Sequence, residues 1–321
     1  MANHCNDQKR VAVVNDLRFG GVEKIVVALY NLGYYKEVYT LSRRDNSHGL
    51  ARLNIFQLIT SFASKEVHAY SFKSIFVVRI ISLLFGHDVR YFEHSLHRGK
   101  KRYFIRLFYS LFLEKIFVPS EGLKREYSKC IENIVVVPNL IDIGLDKQLE
   151  LRPLSNPPKF LFVGRIIDLK NIPLIIDGFL KFKKGSLDII GTGDIELKLR
   201  DKYQDNSIIF HGAMHLDSQI YSKYDILIIA SDYETFGNVI VEALLSGIRV
   251  IATKSQPGIL EIIDDIKSNY NNIVYQERLD LDSAVKYFQD NEAIFASLNI
   301  ERYLPDQVIE FYNENISTDI D

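Results

Sequence analysis

Ile229 to Thr253 reads IASDYETFGNVIVEALLSGIRVIAT. An apolar run ends at Ala230, a polar loop carries Asp232 and Glu234, and helical spacing begins near Asn238. A second β-branched run then closes at Thr253. Strand, loop, helix and strand in that order make a crossover unit of a parallel sheet, whose strands, covered on both faces, read as continuous apolar runs. At the helix start the backbone N–H groups of Phe236, Gly237 and Asn238 have no intrahelical acceptor, and with the helix dipole they suit a phosphate. Glu234 precedes the helix and Glu242 lies about one turn inside it, so both carboxylates can serve different parts of one ligand. A carboxylate accepts two hydrogen bonds from vicinal hydroxyls, as a ribose presents them. A plainer reading stays open: Glu242 favours the positive end of the helix and Glu234 is a solvated loop residue.

The same alternation runs outward through the chain. Val11 to Asn15, Val38 to Leu41, Val89 to Phe92, Ile116 to Pro119 and Ile134 to Pro138 have the length and composition of buried strands. A polar, proline-marked connector, LRPLSNPPK over Leu151 to Lys159, precedes a second series: Phe160 to Val163, Leu187 to Ile190, Ile208 to Phe210, Ile226 to Ala230 and Val250 to Ala252. The expected fold class is therefore α/β, with two Rossmann-like doubly wound domains facing one another across a cleft. The expected boundaries are residues 1–150, residues 151–303, and a closing helix and tail over 304–321. Open sheets of this type bind ligands at the carboxyl ends of their strands, so the loops following those strands are where chemistry belongs.

With 321 residues, 47% of them hydrophobic and 25% charged, the chain is long enough for two cores and too apolar for disorder. The apolar stretch Ile75 to Phe85 is interrupted by Arg79 and is too short to span a bilayer. Met1 to Arg10 lacks the apolar segment of a secretory signal, which predicts a cytoplasmic protein. Cys5 and Cys130, far apart in such a chain, read as free thiols and not as a zinc site. Net charge is −2, yet residues 1–150 carry 22 basic and 15 acidic side chains while the remainder carry 17 and 26. An N-terminal half of that sign suits an anionic partner such as a membrane surface or a lipid diphosphate, or reflects solvated faces alone. A nucleic-acid partner is not expected, because no reading module is present and the chain is not basic overall.

Three further stretches stand in register with the first: VGRIIDLKN over Val163 to Asn171, IIGTGD over Ile189 to Asp194, and FHG over Phe210 to Gly212. Together with Glu234 and Glu242, seven residues between them, this set resembles the family-4 retaining glycosyltransferases of the GT-B type. The resemblance covers about a third of the chain, and its order and spacing are what make it specific. It implies that Arg165 and Lys170 grip the diphosphate of a nucleotide-sugar donor. It also implies that Glu242 holds the ribose, Glu234 contacts the transferred sugar, and Met214 lies beside the base through its backbone. Phe236, Gly237 and Asn238 then belong to donor binding. Cleaving the donor develops negative charge on the leaving diphosphate, and two fixed cations with helix-start amides can stabilise it. The expectation is of no metal and no cofactor beyond the nucleotide sugar itself. Thr235 stands where a second loop glycine is common, and Arg249 where a proline is frequent. IIGTGD lacks the third glycine of a dinucleotide fingerprint, which argues against a dehydrogenase.

In the first half, Val11 to Val14 leads through Asn15 to Phe19 into Gly20 and Gly21 and a helical KIVVALYNL. This resembles the family's Gly-Gly loop, where backbone approaches the donor diphosphate or the acceptor; an ordinary strand-to-helix turn is the alternative. His94, after the strand Val89 to Phe92, matches a family histidine that approaches the transferred sugar, and His68 in EVHAYS matches a more variable position. HRGKKRYFIRLFYSLFL, His97 to Leu113, sets Arg98, Lys100, Lys101, Arg102 and Arg106 among apolar side chains. It reads either as a basic amphipathic helix on the inner leaflet of the plasma membrane or as core beneath a solvated basic end. Asp280-Leu281-Asp282 reads as a helix cap. The resemblance implies a retaining sugar transfer to a glycan or lipid-linked acceptor, in bacterial surface polysaccharide, capsule or lipopolysaccharide assembly. The alternatives are a nucleotide-sugar epimerase of the same fold, or a silent sugar-binding or membrane-scaffold subunit.

Overall fold

Period-two burial on both faces is the local rule that builds this protein. In the computed structural model, which describes residues 10–15, 20–42, 65–97, 99–145, 149–253, 256–265, 272–291 and 300–316, the central strands of each sheet are buried almost throughout. Phe160 and Phe162 of one strand enter a core with Ile226 and Ile228 of its neighbour, while Leu161, Val163, Leu227 and Ile229 enter the core on the opposite face. Successive side chains point to opposite faces of a sheet, so a strand apolar at every position needs helices on both sides. The expectations for Cys5, Arg98 and the loop residues 16–19 lie outside the described residues.

The chain divides into two units, residues 1–140 with 308–321 and residues 141–307. The first contains β1 (Val11–Val14), α1 (Gly21–Asn31), β2 (Glu37–Thr40), β3 (Val67–Tyr70), α2 (Ser71–Phe85), β4 (Val89–Phe92), α3 (Lys101–Phe112), β5 (Lys115–Val118), α4 (Glu121–Tyr127) and β6 (Asn133–Val136). Its sheet is six-stranded, in the order β2-β1-β3-β4-β5-β6, with parallel pairing. The second contains β7 (Lys159–Val163), α5 (Ile172–Phe182), β8 (Ser186–Ile190), α6 (Glu196–Lys202), β9 (Ile208–Gly212), α7 (Ser218–Tyr221), β10 (Ile226–Ile229) and β11 (Tyr233–Glu234). It continues with α8 (Asn238–Leu245), β12 (Arg249–Thr253), β13 (Gln256–Pro257), α9 (Gly258–Asp265), β14 (Ile273–Gln276) and α10 (Leu281–Asp290). Its main sheet is also six-stranded and parallel, ordered β14-β12-β10-β7-β8-β9. Strand order reverses between β1 and β3 in one unit and between β7 and β10 in the other, which marks the two crevices where such sheets take ligands.

The division falls earlier than the connector at Leu151 suggested. Ile141 and Ile143 pack with Leu161 and Leu244, and the Leu149 N–H bonds the Leu245 carbonyl at 2.7 Å, so residues 141–150 lie in the second unit. The last helix, α11 (Pro305–Asn315), begins in the second unit, but Val308, Tyr312 and Ile316 pack among Ala12, Val14, Phe92 and Phe117 of the first. β3 and β14 were not anticipated as strands. Asp280 does cap its helix, accepting from the Ser283 N–H at 3.2 Å. Cys130 is a half-buried free thiol.

β3 carries a polar chain through the first unit, fully buried at His68 and Tyr70. The Glu66 carboxylate can only accept, so His68 Nε2 donates to it at 2.8 Å, and His68 Nδ1 accepts from the Tyr35 hydroxyl at 2.8 Å. The hydroxyls of Tyr35 and Tyr70 are in turn bonded to each other. Arg10 donates to Glu66 at 3.2 Å and to Asn313 of α11 at 3.0 Å. Burial alone raises the Glu66 pKa, but the His68 hydrogen bond and the charges of Arg10 and Arg90 outweigh it and bring it down to about 2. A carboxylate depressed in the fold stabilises it above its unfolded pKa and loses that contribution as pH falls toward the folded value. The first unit should therefore lose on the order of 3 kcal/mol as pH drops from about 4.5 toward 2. Thermal unfolding followed between pH 7 and pH 3 should show this slope in the native chain and a flatter one in Glu66→Gln.

Candidate functional site

At the reversal point of the second sheet, two loops are tied together. After β7 the chain passes Gly164 and the exposed Arg165, turns through a short 3₁₀ segment, Asp168–Lys170, and reaches Asn171 in the left-handed region at φ 49°. Asparagine tolerates that backbone when its amide finds local partners. Here Asn171 Nδ2 donates to the Ala230 carbonyl at 3.0 Å and to the Asp232 carboxylate, while the Asp232 N–H bonds Leu169 O at 2.9 Å. The loop after β7 is thereby fastened to the loop after β10. Across the join, Lys170 Nζ is ion-paired with Glu234 Oε1, and Ser231 Oγ donates to the same oxygen at 2.7 Å. Lys170 and Glu234 are 17% and 14% exposed, so Glu234 is a held carboxylate and not a solvated loop residue.

Glycine is needed where backbone meets backbone. Gly191 follows β8 at φ 139°, and a Cβ there would stand 1.8 Å from the carbonyl oxygen of Gly164. The Gly191 turn thus presses directly beneath the Arg165 loop, and the Ile166 N–H bonds Thr192 O at 2.9 Å. This is what the glycines of Ile189 to Asp194 do: Gly191 against Gly164 and Gly193 against Ile166, they shape the cation-bearing loop by close packing. Gly237, at φ 110°, is the N-cap of α8 and directs the chain into that helix. Phe236 is buried, edge-on to Tyr303 at 5.2 Å between centroids, so its side chain is a core anchor and only its backbone can serve a ligand.

Glu242 sits on α8, 4% exposed, and accepts a hydrogen bond from the Tyr221 hydroxyl of α7. Burial, and then the Glu242 charge beside it, pushes the Tyr221 hydroxyl far up, so Tyr221 is a neutral donor. Met214 lies in the loop after β9, the edge strand, 37% exposed and two strands from β7. Arg165, Lys170, Glu234 and the Gly237 helix start therefore share the reversal point, while Met214 stands further along the same sheet edge.

In the first unit, Gly20 caps α1 and Gly21 is its first residue, at the carboxyl-end side of β1. His94 follows β4, 7% exposed, and its Nε2 has no hydrogen-bond partner among the described residues. Burial lowers its pKa to about 4, against the opposing charge of Glu93, so the imidazole is neutral near pH 7. Glu93 was not anticipated. Fully buried, it accepts from the Ser95 N–H at 2.8 Å, from His97 Nε2 at 3.0 Å and from the Tyr109 hydroxyl of α3, which fixes the turn that carries His94. The available signal was a lone acid closing an apolar strand, YFE, beside a histidine. Ser71, at φ 67° where β3 enters α2, was missed too, because nothing in a serine announces a left-handed backbone. His68 belongs to the buried chain described above and not to a crevice.

Comparison with known proteins adds to this geometry. Residues 157–285 match the family model described as Glycosyl transferases group 1. A sulfoquinovosyl transferase of Arabidopsis thaliana is 31% identical over 110 residues, 34% of this chain and 21% of that protein. In Campylobacter jejuni, an N-acetylgalactosamine-N,N'-diacetylbacillosaminyl-diphospho-undecaprenol 4-alpha-N-acetylgalactosaminyltransferase is 24% identical over 187 residues, 56% of this chain and 51% of that protein. The matches thus span from about a fifth to a half of these curated relatives. Among solved structures, HepE of Anabaena in complex with UDP-glucose superposes with a TM-score of 0.75 at 16% identity, covering 96% of this chain and 99% of that one. That likeness is one of fold.

Proposed function

We propose that this chain, whose residues 157–285 belong to the group 1 glycosyl transferases, moves a sugar from a nucleotide diphosphate donor to a glycan or lipid-linked acceptor. The observation that carries the reading is the Lys170–Glu234 pair held at the reversal point of the second sheet, with Arg165 on the same loop and the α8 start beside it. An ammonium has three donors, so Lys170 can keep Glu234 and still meet a phosphate oxygen. As the glycosidic bond breaks, charge accumulates on the departing diphosphate, and Arg165, Lys170 and the amides of Phe236, Gly237 and Asn238 oppose it without needing a metal ion.

We assign Glu234 to the transferred sugar and Glu242 to the ribose, with Tyr221 orienting the Glu242 carboxylate. Met214 is assigned to the base. His94, Gly20 and Gly21 are assigned to sugar and diphosphate contacts; a neutral imidazole with an unused Nε2 is suited to a sugar hydroxyl. The transfer proceeds with retention, the acceptor hydroxyl attacking on the face the leaving group vacates and the diphosphate helping to take its proton. The relative whose name carries a diphospho-undecaprenol glycan and the neighbour solved with UDP-glucose favour a uridine donor and a polyprenol-linked acceptor, in bacterial surface polysaccharide assembly at the cytoplasmic face of the membrane.

Binding of a panel of nucleotide sugars by calorimetry, with slow hydrolysis of the accepted donor, tests this. Glu242→Ala should weaken nucleotide binding about tenfold to a hundredfold, the cost of lost charge-assisted hydrogen bonds. Failure of every nucleotide to bind overturns the proposal, and conversion of the donor sugar without release of nucleotide diphosphate replaces transfer by epimerisation.

A further inference from the structure

Helix α2 starts where β3 stops. Tyr70 ends the strand, Ser71 is the first helical residue, and the chain turns with no loop between them, which sets Ser71 at φ 67°. β3 stands beside β1 at the strand-order reversal of the first sheet, so the start of α2 opens on the crevice of that unit. The N–H groups of Ser71, Phe72 and Lys73 have no acceptor within the helix, and the N-cap, Tyr70, supplies no side-chain cap. The first turn holds no acidic side chain. It carries the exposed Lys73 instead, at the positive end of the helix dipole, where a cation opposes helix formation.

Two buried polar groups point to what completes this end. Ser74 is 0% exposed, and its Oγ has no hydrogen-bond partner among the described residues. Each Cα–Cβ bond of a helix tilts toward the N-terminus, so from the first turn this hydroxyl leans toward the uncapped amides. His94, 7% exposed, stands against Tyr70 with ring centroids 5.8 Å apart, and its Nε2 is the second unpartnered group. Polar atoms buried without a partner are costly, and a ligand removes that cost. Three amides, an ammonium and a hydroxyl converging on one point are all donors, and a phosphoryl group, with three terminal oxygens, can meet them together where a carboxylate offers two.

We propose that the start of α2 binds a phosphoryl group of the acceptor, held by the Ser71, Phe72 and Lys73 amides, the Lys73 ammonium and the Ser74 hydroxyl. Giving the phosphoryl group to the acceptor rests on the sugar-transfer reading, which assigns the donor diphosphate to Arg165, Lys170 and the start of α8. His94, assigned there to the sugar, lies against Tyr70 at the head of α2. The acceptor therefore carries its phosphoryl group close to the hydroxyl that attacks, as a prenyl diphosphate bearing a short glycan does.

Calorimetry on the full chain saturated with UDP, which occupies the donor site, tests the assignment. Geranyl diphosphate should bind at least about tenfold more tightly than geraniol. Lys73→Glu sets a carboxylate where the anion would sit and also suits the helix dipole. It should therefore weaken geranyl diphosphate binding at least about tenfold while the thermal midpoint holds or rises, the opposite of what a misfolded variant shows. Ser74→Ala should weaken binding about threefold to tenfold with the midpoint likewise maintained. UDP binding without geranyl diphosphate binding overturns the α2 site alone, as does geranyl diphosphate binding that Lys73→Glu leaves unchanged. Inorganic phosphate that binds and is lost in Lys73→Glu, with geranyl diphosphate no tighter than geraniol, gives the site to a free anion and overturns the acceptor assignment. A chain that binds no UDP fails the sugar-transfer reading, and the acceptor assignment falls with it.

Discussion

Lys170→Ala should lower turnover of the accepted nucleotide sugar by about a hundredfold to a thousandfold, with kcat falling much more than KM rises. The charge that Lys170 opposes grows as the sugar leaves, so its removal is felt more in the transition state than in the bound donor. The side chain is 17% exposed and its partner Glu234 14%, so the pair operates where solvent screens it only in part. Loss of the ammonium leaves Glu234 with the Ser231 hydroxyl at 2.7 Å, and the unfolding transition should stay close to wild type. Lys170→Arg keeps the charge and should recover part of the rate, although a planar fork cannot reproduce an ammonium that serves two partners. Steady-state kinetics on the three proteins settles the point: unaltered turnover in Lys170→Ala removes this residue from the chemistry.

Gly191→Ala should destabilise the second unit by about 4 kcal/mol or more and abolish donor binding with it. The added Cβ would lie 1.8 Å from Gly164 O and 2.9 Å from Gly164 C, both backbone atoms that no side-chain rotation can move aside, at a φ of 139° that L-residues rarely adopt. Relief requires the Arg165 loop to lift away from the β8 turn. Gly144→Ala is the control: its φ is 72°, yet nothing stands within 4 Å of the added atom, so only the backbone penalty of about 1 kcal/mol remains. Chemical denaturation of both variants measures the contrast, and equal midpoints would show that the close approach is relieved at little cost.

The missed strands show where pattern reading loses information. β3 sits in the middle of the first sheet, yet VHAY alternates apolar residues with a histidine and a tyrosine, which reads as half-exposed. All four residues are buried, because Glu66, two positions away, and the sequence-distant Tyr35 satisfy His68, and Tyr35 satisfies Tyr70. The segment 97–113 had two readings, a helix lying on a bilayer or core beneath a solvated basic end, and no local pattern tells them apart, since burial divides within the helix at single residues such as Ile105 and Leu107.

Sequence by itself determined the α/β class, most strands, the Asp280 cap and the group of residues around Ile229 to Thr253. Apolar runs, turn residues and motif order are local properties written in consecutive letters. Tertiary structure alone decided that Lys170 pairs with Glu234 across 64 positions, that Gly191 lies beneath Gly164, and that Glu93 is clamped beside His94. Those facts depend on strand order: β7 and β10 become neighbours because the chain reverses after β9, and no local pattern records which two strands a reversal will bring together.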